Sequence, residues 1–249
     1  VVSLAALVAA LIGPRWGEQT QTLLRRNVDV MILLDVSRSM LARDIAPNRL
    51  ERAKLAIRDD LLPSLGGDRV GLIAFAGTAT LICPLTSDYG FFRLALDDVN
   101  TNSTPRGGTL IGDAIRRAGT IFEEDKVESH KVILLITDGE DQESFPIEAA
   151  ASVWKDRQIP ILALALGDPE QGARIPVPEN GHDKYLEHQG EVVRSRADFA
   201  TLEQVAHVSP QGIFVAVGTS NFDLGDIYSR VVKSIRVAED REQRQVRQP

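Results

Sequence analysis

Cysteine is nearly absent from this chain of 249 residues: Cys83 stands alone, which excludes an internal disulfide and a cysteine-lined zinc cage. Its setting, "TLICPLT", is apolar and strand-like, so Cys83 reads as a small core residue rather than a reactive thiol. Histidine is also scarce. His130, His182, His188 and His207 show no ligand spacing such as HxxxH, and no metal role is expected of them. Positive charge is in deficit, with a net charge of −7, which argues against nucleic acid because phosphate recognition needs a basic surface. There is no GxxxxGKS loop to cradle a nucleotide.

What is present is an ordinary globular composition, 43% hydrophobic and 25% charged, enough for a sizeable buried core. From residue 28 onward, "VDVMILL", "RVGLIAF", "KVILLIT", "IPILALAL" and "GIFVAV" are almost unbroken aliphatic runs. Strands apolar on both faces belong to parallel sheets covered by helices on each side. Helical patterns lie between them. Leu50, Ala53, Ile57 and Leu61 share one face just after Pro47, as do Ile111, Ile115, Ala118 and Phe122. "PIEAAASVWKDR", "FATLEQVAHV" and "NFDLGDIYSRVVKSI" supply further helices, and Trp154 in the first of these is expected to pack into the core. The alternation predicts a Rossmann-like, doubly wound α/β sheet. "TATLICPLT" follows its neighbour so closely that it is expected to form an antiparallel edge strand. Residues 167–196, rich in Gly, Pro and charge, are expected to form a β-hairpin insertion on the sheet edge.

In an open α/β sheet, ligands bind beyond the carboxyl ends of the strands. Three polar stretches fall there or ahead of a helix: "DVSRS" after the first strand, "TPRGGTLIGDA", and "TDGED" after "KVILLI". All offer oxygen ligands, the preference of hard cations such as Mg²⁺, Mn²⁺ and Ca²⁺. Asp35, Ser37 and Ser39 alternate, so an extended segment presents them on one side. Gly107 and Gly108 permit a tight turn before Thr109, and Gly139 permits another after Asp138. The bland readings are turn and helix caps: Thr109 as the N-cap of the helix that follows it, and the acidic "EDQE" (Glu140, Asp141, Glu143) as a solvated loop.

DxSxS, a threonine after a glycine pair, and TDG in this order resemble the metal-ion-dependent adhesion site (MIDAS) of von Willebrand factor type A (vWA) domains, over residues 28–236. Within that family, "DVSRSMLARDIAPNRLERAK", "GDRVGLIAFAGTATLICPLTSDY" and "GGTLIGDAI" are similar to the bacterial BatA/BatB proteins related to aerotolerance, and "YLEHQGEVVRSRADFATLEQVA" favours the BatB side. The resemblance implies a metal set of Asp35, Ser37, Ser39, Thr109 and Asp138, with the hydroxyls touching the cation and the aspartates acting largely through water. It implies a protein partner that offers a Glu or Asp carboxylate, another Bat protein or a MoxR-type AAA ATPase system, and a place at the bacterial inner membrane facing the periplasm. Arg38 stands where such proteins often carry glycine.

The domain layout expected from this reading is the end of a transmembrane helix at 1–17, a linker at 18–27, the vWA domain at 28–236 and a polar tail at 237–249. The uncharged first twelve residues are shorter than the roughly 20 of a full span, and Trp16 sits where an interfacial aromatic would. Arg15, Arg25 and Arg26 pull the other way on orientation under the positive-inside rule. The function expected is recognition without a bond made or broken. The rivals are a Mg²⁺-dependent phosphatase or receiver-type phosphoacceptor, and a metal-independent interaction domain. The first lacks a second carboxylate two positions after Asp35 and a lysine after "IPILALALG".

Overall fold

The computed structural model describes residues 27–179 and 182–233. The expected membrane segment, almost all of the linker and the polar tail lie outside them. Among the described residues no helix is long and apolar enough to cross a membrane.

Six strands form the main sheet: β1 (Val28–Asp35), β2 (Arg69–Phe75), β3 (Ala79–Thr86), β4 (His130–Thr137), β5 (Ile161–Leu166) and, after the insertion, β12 (Ile213–Gly218). Their order is β12-β5-β4-β1-β2-β3, all parallel except the β2–β3 pair. The antiparallel edge read from "TATLICPLT" is therefore present, and Cys83 within it is fully buried. β1 lies at the centre, and all eight of its residues are buried. Its alternation divides the core. Val30, Ile32 and Leu34 join one cluster, while Met31 and Leu33 join the other.

The first face is covered by helix α1, built from Arg49–Leu55, a wider π segment Ala56–Leu61 and a closing turn Leu62–Ser64, together with α2 (Tyr89–Asp97) and the helix over 224–233, α6. Leu50, Ala53, Ile57 and Leu61 all face this core. The second face is covered by α3 (Ile111–Glu124), α4 (Pro146–Arg157) and α5 (Phe199–His207), with Ile111, Ile115, Ala118 and Phe122 turned inward. Trp154 departs from expectation. It is only half-buried, because on α4 the inward positions are Ala149, Ala150 and Val153.

The insertion also differs from the single edge hairpin expected of it. Residues 167–196 form three small antiparallel pairs: β6 (Ala173–Arg174) with β11 (Arg194–Ser195), β7 (Pro176–Glu179) with β8 (His182–Tyr185), and β9 (Glu187–His188) with β10 (Glu191–Val192). None adds to the main sheet, whose edges are β3 and β12. The insertion instead returns to the carboxyl rim, where Arg196 N–H donates to Glu140 Oε1 at 2.7 Å.

The chain runs from β1 outward to β3, then crosses back to β4 on the other flank of β1. Strand order thus reverses between β1 and β4, the location at which α/β sheets open a crevice for ligands.

Candidate metal centre

Asp35 ends β1 with no solvent exposure. Its Oδ1 accepts the Ser37 N–H at 2.8 Å and its Oδ2 accepts the Thr137 hydroxyl at 2.6 Å, so the carboxylate is fixed in place. Thr137 Oγ1 in turn accepts the Gly139 N–H at 3.0 Å. A second buried aspartate on the same strand makes an instructive contrast. Asp29, at the amino end, receives Arg69 on both oxygens, at 2.8 and 2.5 Å, and is bonded to Ser129 as well. Asp35 has no cationic partner among the described residues. Burial, then the charge of Asp138, push its carboxyl up to about 7.

Beyond Asp35 the chain stays extended through Ser37 and then enters a 3₁₀ turn, Arg38–Leu41, rather than a fully extended loop. The turn keeps the expected sidedness. Ser37 and Ser39 are buried with their Oγ atoms 2.8 Å apart, while Arg38 between them is exposed and makes no ion pair among the described residues.

Thr109 arrives from the loop before α3. That loop is clamped to the exits of two strands: Leu110 N–H donates to Ala76 O at 2.8 Å, and Thr109 O accepts the Gln142 N–H at 2.9 Å. Gly108, at φ 101°, lies so near Gln142 that a Cβ would stand 2.5 Å from Oε1. Thr109 is not the helix cap of the bland reading. Leu110 occupies that position, and the first N–H groups of α3 are satisfied from the neighbouring loop. Asp141 Oδ1 accepts from Ile111 N at 2.9 Å, and Ser144 Oγ accepts from Gly112 N at 2.7 Å. The Thr109 hydroxyl, on a residue only 4% exposed, makes no hydrogen bond among the described residues. The acidic loop is likewise less solvated than expected: Asp141 serves α3, and Glu140 is half-buried. Burial and the charge of Asp138 raise the Glu140 carboxyl above its ordinary value.

Asp138 follows β4 and is fully buried. Its Oδ2 accepts Arg49 Nη1 at 2.8 Å and the Ser195 hydroxyl at 3.3 Å, and its Oδ1 accepts the Glu140 N–H at 3.3 Å. Arg49 is the residue that sequence reading passed over. It opens α1, yet its side chain is wholly buried. Nε and Nη2 donate to Asp44, and Nη1 also donates to Ser195 Oγ at 2.7 Å. Gly167 leaves room for it, since a Cβ there would stand 2.4 Å from Arg49 Cζ. Burial pushes the Asp44 carboxyl up, but the hydrogen bonds and charge of Arg49 outweigh this and hold it below the ordinary range.

All five residues of the expected set thus lie at one rim. Hydrogen bonds join Asp35 to Ser37 and Ser37 to Ser39; Thr109 is tied through its backbone to the loop after β4; Asp138 is turned toward Arg49. Among the described residues no three His, Cys, Asp or Glu side chains gather as a metal cage, so any cation here depends on hydroxyls. Such a donor set fits a hard divalent ion. Two oxygens bound side by side on an octahedral Mg²⁺ at about 2.0–2.1 Å lie about 2.9 Å apart, and the two serine oxygens stand at 2.8 Å. Asp35 adds a buried carboxylate that has no counter-charge among the described residues.

A von Willebrand factor type A domain family model matches residues 30–140. The crystal structure of BatB from Bacteroides thetaiotaomicron is 36% identical, with a TM-score of 0.76, and the match covers 84% of this chain and 99% of that one. An aerotolerance-related membrane protein from Bacteroides fragilis is 34% identical with a TM-score of 0.74, covering 83% and 100%. A curated relative, a UPF0353 protein of Mycolicibacterium gilvum, is 29% identical over 226 residues; the match covers 82% of this chain and 65% of the relative's own length. A mussel byssus proximal thread matrix protein, solved with a zinc-occupied MIDAS motif, shares the fold at 21% identity and a TM-score of 0.59, over 84% of this chain and 46% of its own. By fold, rim and likeness together, the chain belongs to the von Willebrand factor type A domain proteins of the BatA/BatB, aerotolerance-related, family.

Proposed function

We propose that this chain is a metal-dependent protein-recognition module and not an enzyme. Asp35, Ser37, Ser39, Thr109 and Asp138 hold Mg²⁺, or Mn²⁺ or Ca²⁺ in its place, and a Glu or Asp of a partner protein completes the site. The observation that carries this reading is the pair of buried serine hydroxyls 2.8 Å apart beside a buried aspartate that has no counter-ion among the described residues. When bound, the cation would supply positive charge that three neutral hydroxyls and two aspartates acting largely through water leave only partly offset, so an external carboxylate would be attracted to it. The chain's own part is to hold the donors still. Ser37 N–H and Thr137 fix Asp35, and the loop after β4 fixes Thr109. Arg38, exposed at the rim, is placed to meet an acidic partner.

The family suggests the setting: the bacterial inner membrane, with the vWA domain in the periplasm, and partners among other Bat proteins or a MoxR-type AAA ATPase system, in stress tolerance or complex assembly. The relative named as a membrane protein supports the first point. One observation favours a second reading, that the domain binds partners without metal: Asp138 already has a counter-ion in Arg49 at 2.8 Å.

Calorimetric titration of the chain with Mg²⁺ and Mn²⁺ separates the two. Saturable binding that Asp35→Ala abolishes while circular dichroism stays unchanged is the expected result. No heat with either ion leaves the metal-free reading standing. Recovery of the same partners in Mg²⁺ and in EDTA would sink the metal-dependent one, and turnover of a phosphoester in Mg²⁺ would restore the enzymatic rival.

A further inference from the structure

Beside the rim, between the loop that follows the 3₁₀ turn and the insertion, lies a cleft of about 320 Å³ whose walls include Arg43, Asp44, Arg174, Tyr185 and Arg194. Three guanidinium groups in one cleft is an uneven allotment for a chain of net charge −7. Among the described residues that line the cleft, the one carboxylate is already engaged: Asp44 receives Arg49 on both oxygens, and the Asp168 N–H at 2.9 Å. It therefore offsets the buried arginine and supplies no counter-charge to Arg174 or Arg194.

Two of those arginines are placed in an unfavourable way. Arg174 and Arg194 stand directly opposite each other in the β6–β11 pair. Like charges facing across an antiparallel pair, with Cβ atoms about 5 Å apart, destabilise it. Neither makes an ion pair among the described residues. Each is held by a partner without charge: the Arg174 guanidinium lies 5.3 Å from the Tyr185 ring centroid, and Arg194 Nη1 donates to Gln171 O at 3.2 Å. Both are exposed. Two forks facing each other, steadied but not neutralised, make a receptor for anionic groups that arrive from outside.

We infer that this cleft binds an acidic peptide segment of a partner protein, a short run of Glu or Asp residues. The inference rests on the metal-dependent reading above and extends it: the partner places one carboxylate at the rim cation and lays its acidic neighbours in the cleft. The two sites are physically joined, because Asp44 at the cleft wall and Asp138 at the rim share the guanidinium of Arg49. A peptide suits the geometry better than nucleic acid, whose long polyanion would meet the negative surface of the rest of the chain.

The test is fluorescence anisotropy of labelled hexaglutamate and hexaglutamine peptides with the full chain, in Mg²⁺ and in EDTA. The chain is expected to bind hexaglutamate at least tenfold more tightly than hexaglutamine. R174Q/R194Q should remove most of that preference while leaving the Mg²⁺ affinity measured by calorimetry unchanged. Charge reversal, R174E/R194E, should abolish hexaglutamate binding and admit hexa-arginine. The inference is overturned if R174Q/R194Q binds hexaglutamate as the parent chain does, if hexaglutamine binds equally well, or if inorganic phosphate competes at lower concentration than free glutamate, which would make this a phosphate site. A preference lost in R174Q/R194Q yet indifferent to Mg²⁺ or EDTA sustains the cleft and sinks the cation reading, so the two failures are separable.

Discussion

At the scale of single residues, β1 carries its own control experiment. Asp29 and Asp35 are equally buried, but among the described residues only Asp29 has an arginine. In the cation-free protein the Asp35 carboxyl, pushed to about 7, retains its proton in the folded state across a range where the unfolded chain has released it. Its contribution to stability is therefore full below about pH 4 and lost as pH rises toward 7. Chemical denaturation in EDTA should show that decline. Asp35→Asn should flatten it, and Mg²⁺ should restore stability at pH 7 to the parent chain but not to the variant. Arg49 makes the complementary prediction. Its removal leaves Asp138 buried without a counter-charge, so Arg49→Ala should cost on the order of 3–5 kcal/mol in urea denaturation. Arg49→Lys should recover only part, since an ammonium cannot reach Asp44, Asp138 and Ser195 in the planar arrangement of the fork. Asp35, Ser37, Ser39 and Asp138 could be read as candidate oxygen donors because they sit in short stretches at the ends of β1 and β4 or directly after them. Arg49 could not be read, because Asp138 and Ser195 lie 89 and 146 positions away. One signal was available: a cation in the first turn of a helix opposes the helix dipole, so something else has to hold it there.

At the scale of elements, the sheet could be read because aliphatic runs buried on both faces leave little alternative to a covered parallel arrangement. The placement of Thr109 could not, since it depends on how α3 meets the loop after β4. Gly112 is the point of contact. A Cβ there would fall 2.1 Å from the Ser144 carbonyl oxygen, so Gly112→Ala must push that loop away. The expected cost is about 1–3 kcal/mol. Mg²⁺ affinity measured by calorimetry should fall with it, because the same loop anchors Thr109 through Gln142. The insertion escaped a detailed reading for a different reason. Four of its six strands have only two residues each, too few to show alternation.

At the scale of the whole molecule, charge is distributed against its total. The chain is acidic overall, yet Arg38, Arg43, Arg174 and Arg194 collect around the carboxyl end of the sheet. Attraction of an acidic ligand to that end is long-range and screened, with a Debye length of about 10 Å at 0.1 M salt. Stopped-flow measurement with hexaglutamate should therefore show an association rate that falls steeply between 50 and 500 mM NaCl, while dissociation changes less. Arg49 also has a mechanical meaning at this scale. Its one side chain pins together the loop after β1, the exit of β4 and the returning arm of the insertion. A strain that draws Asp138 away would be passed through Arg49 to Ser195, so a displacement at the rim would reach the arm that carries Arg194 without any element having to unfold.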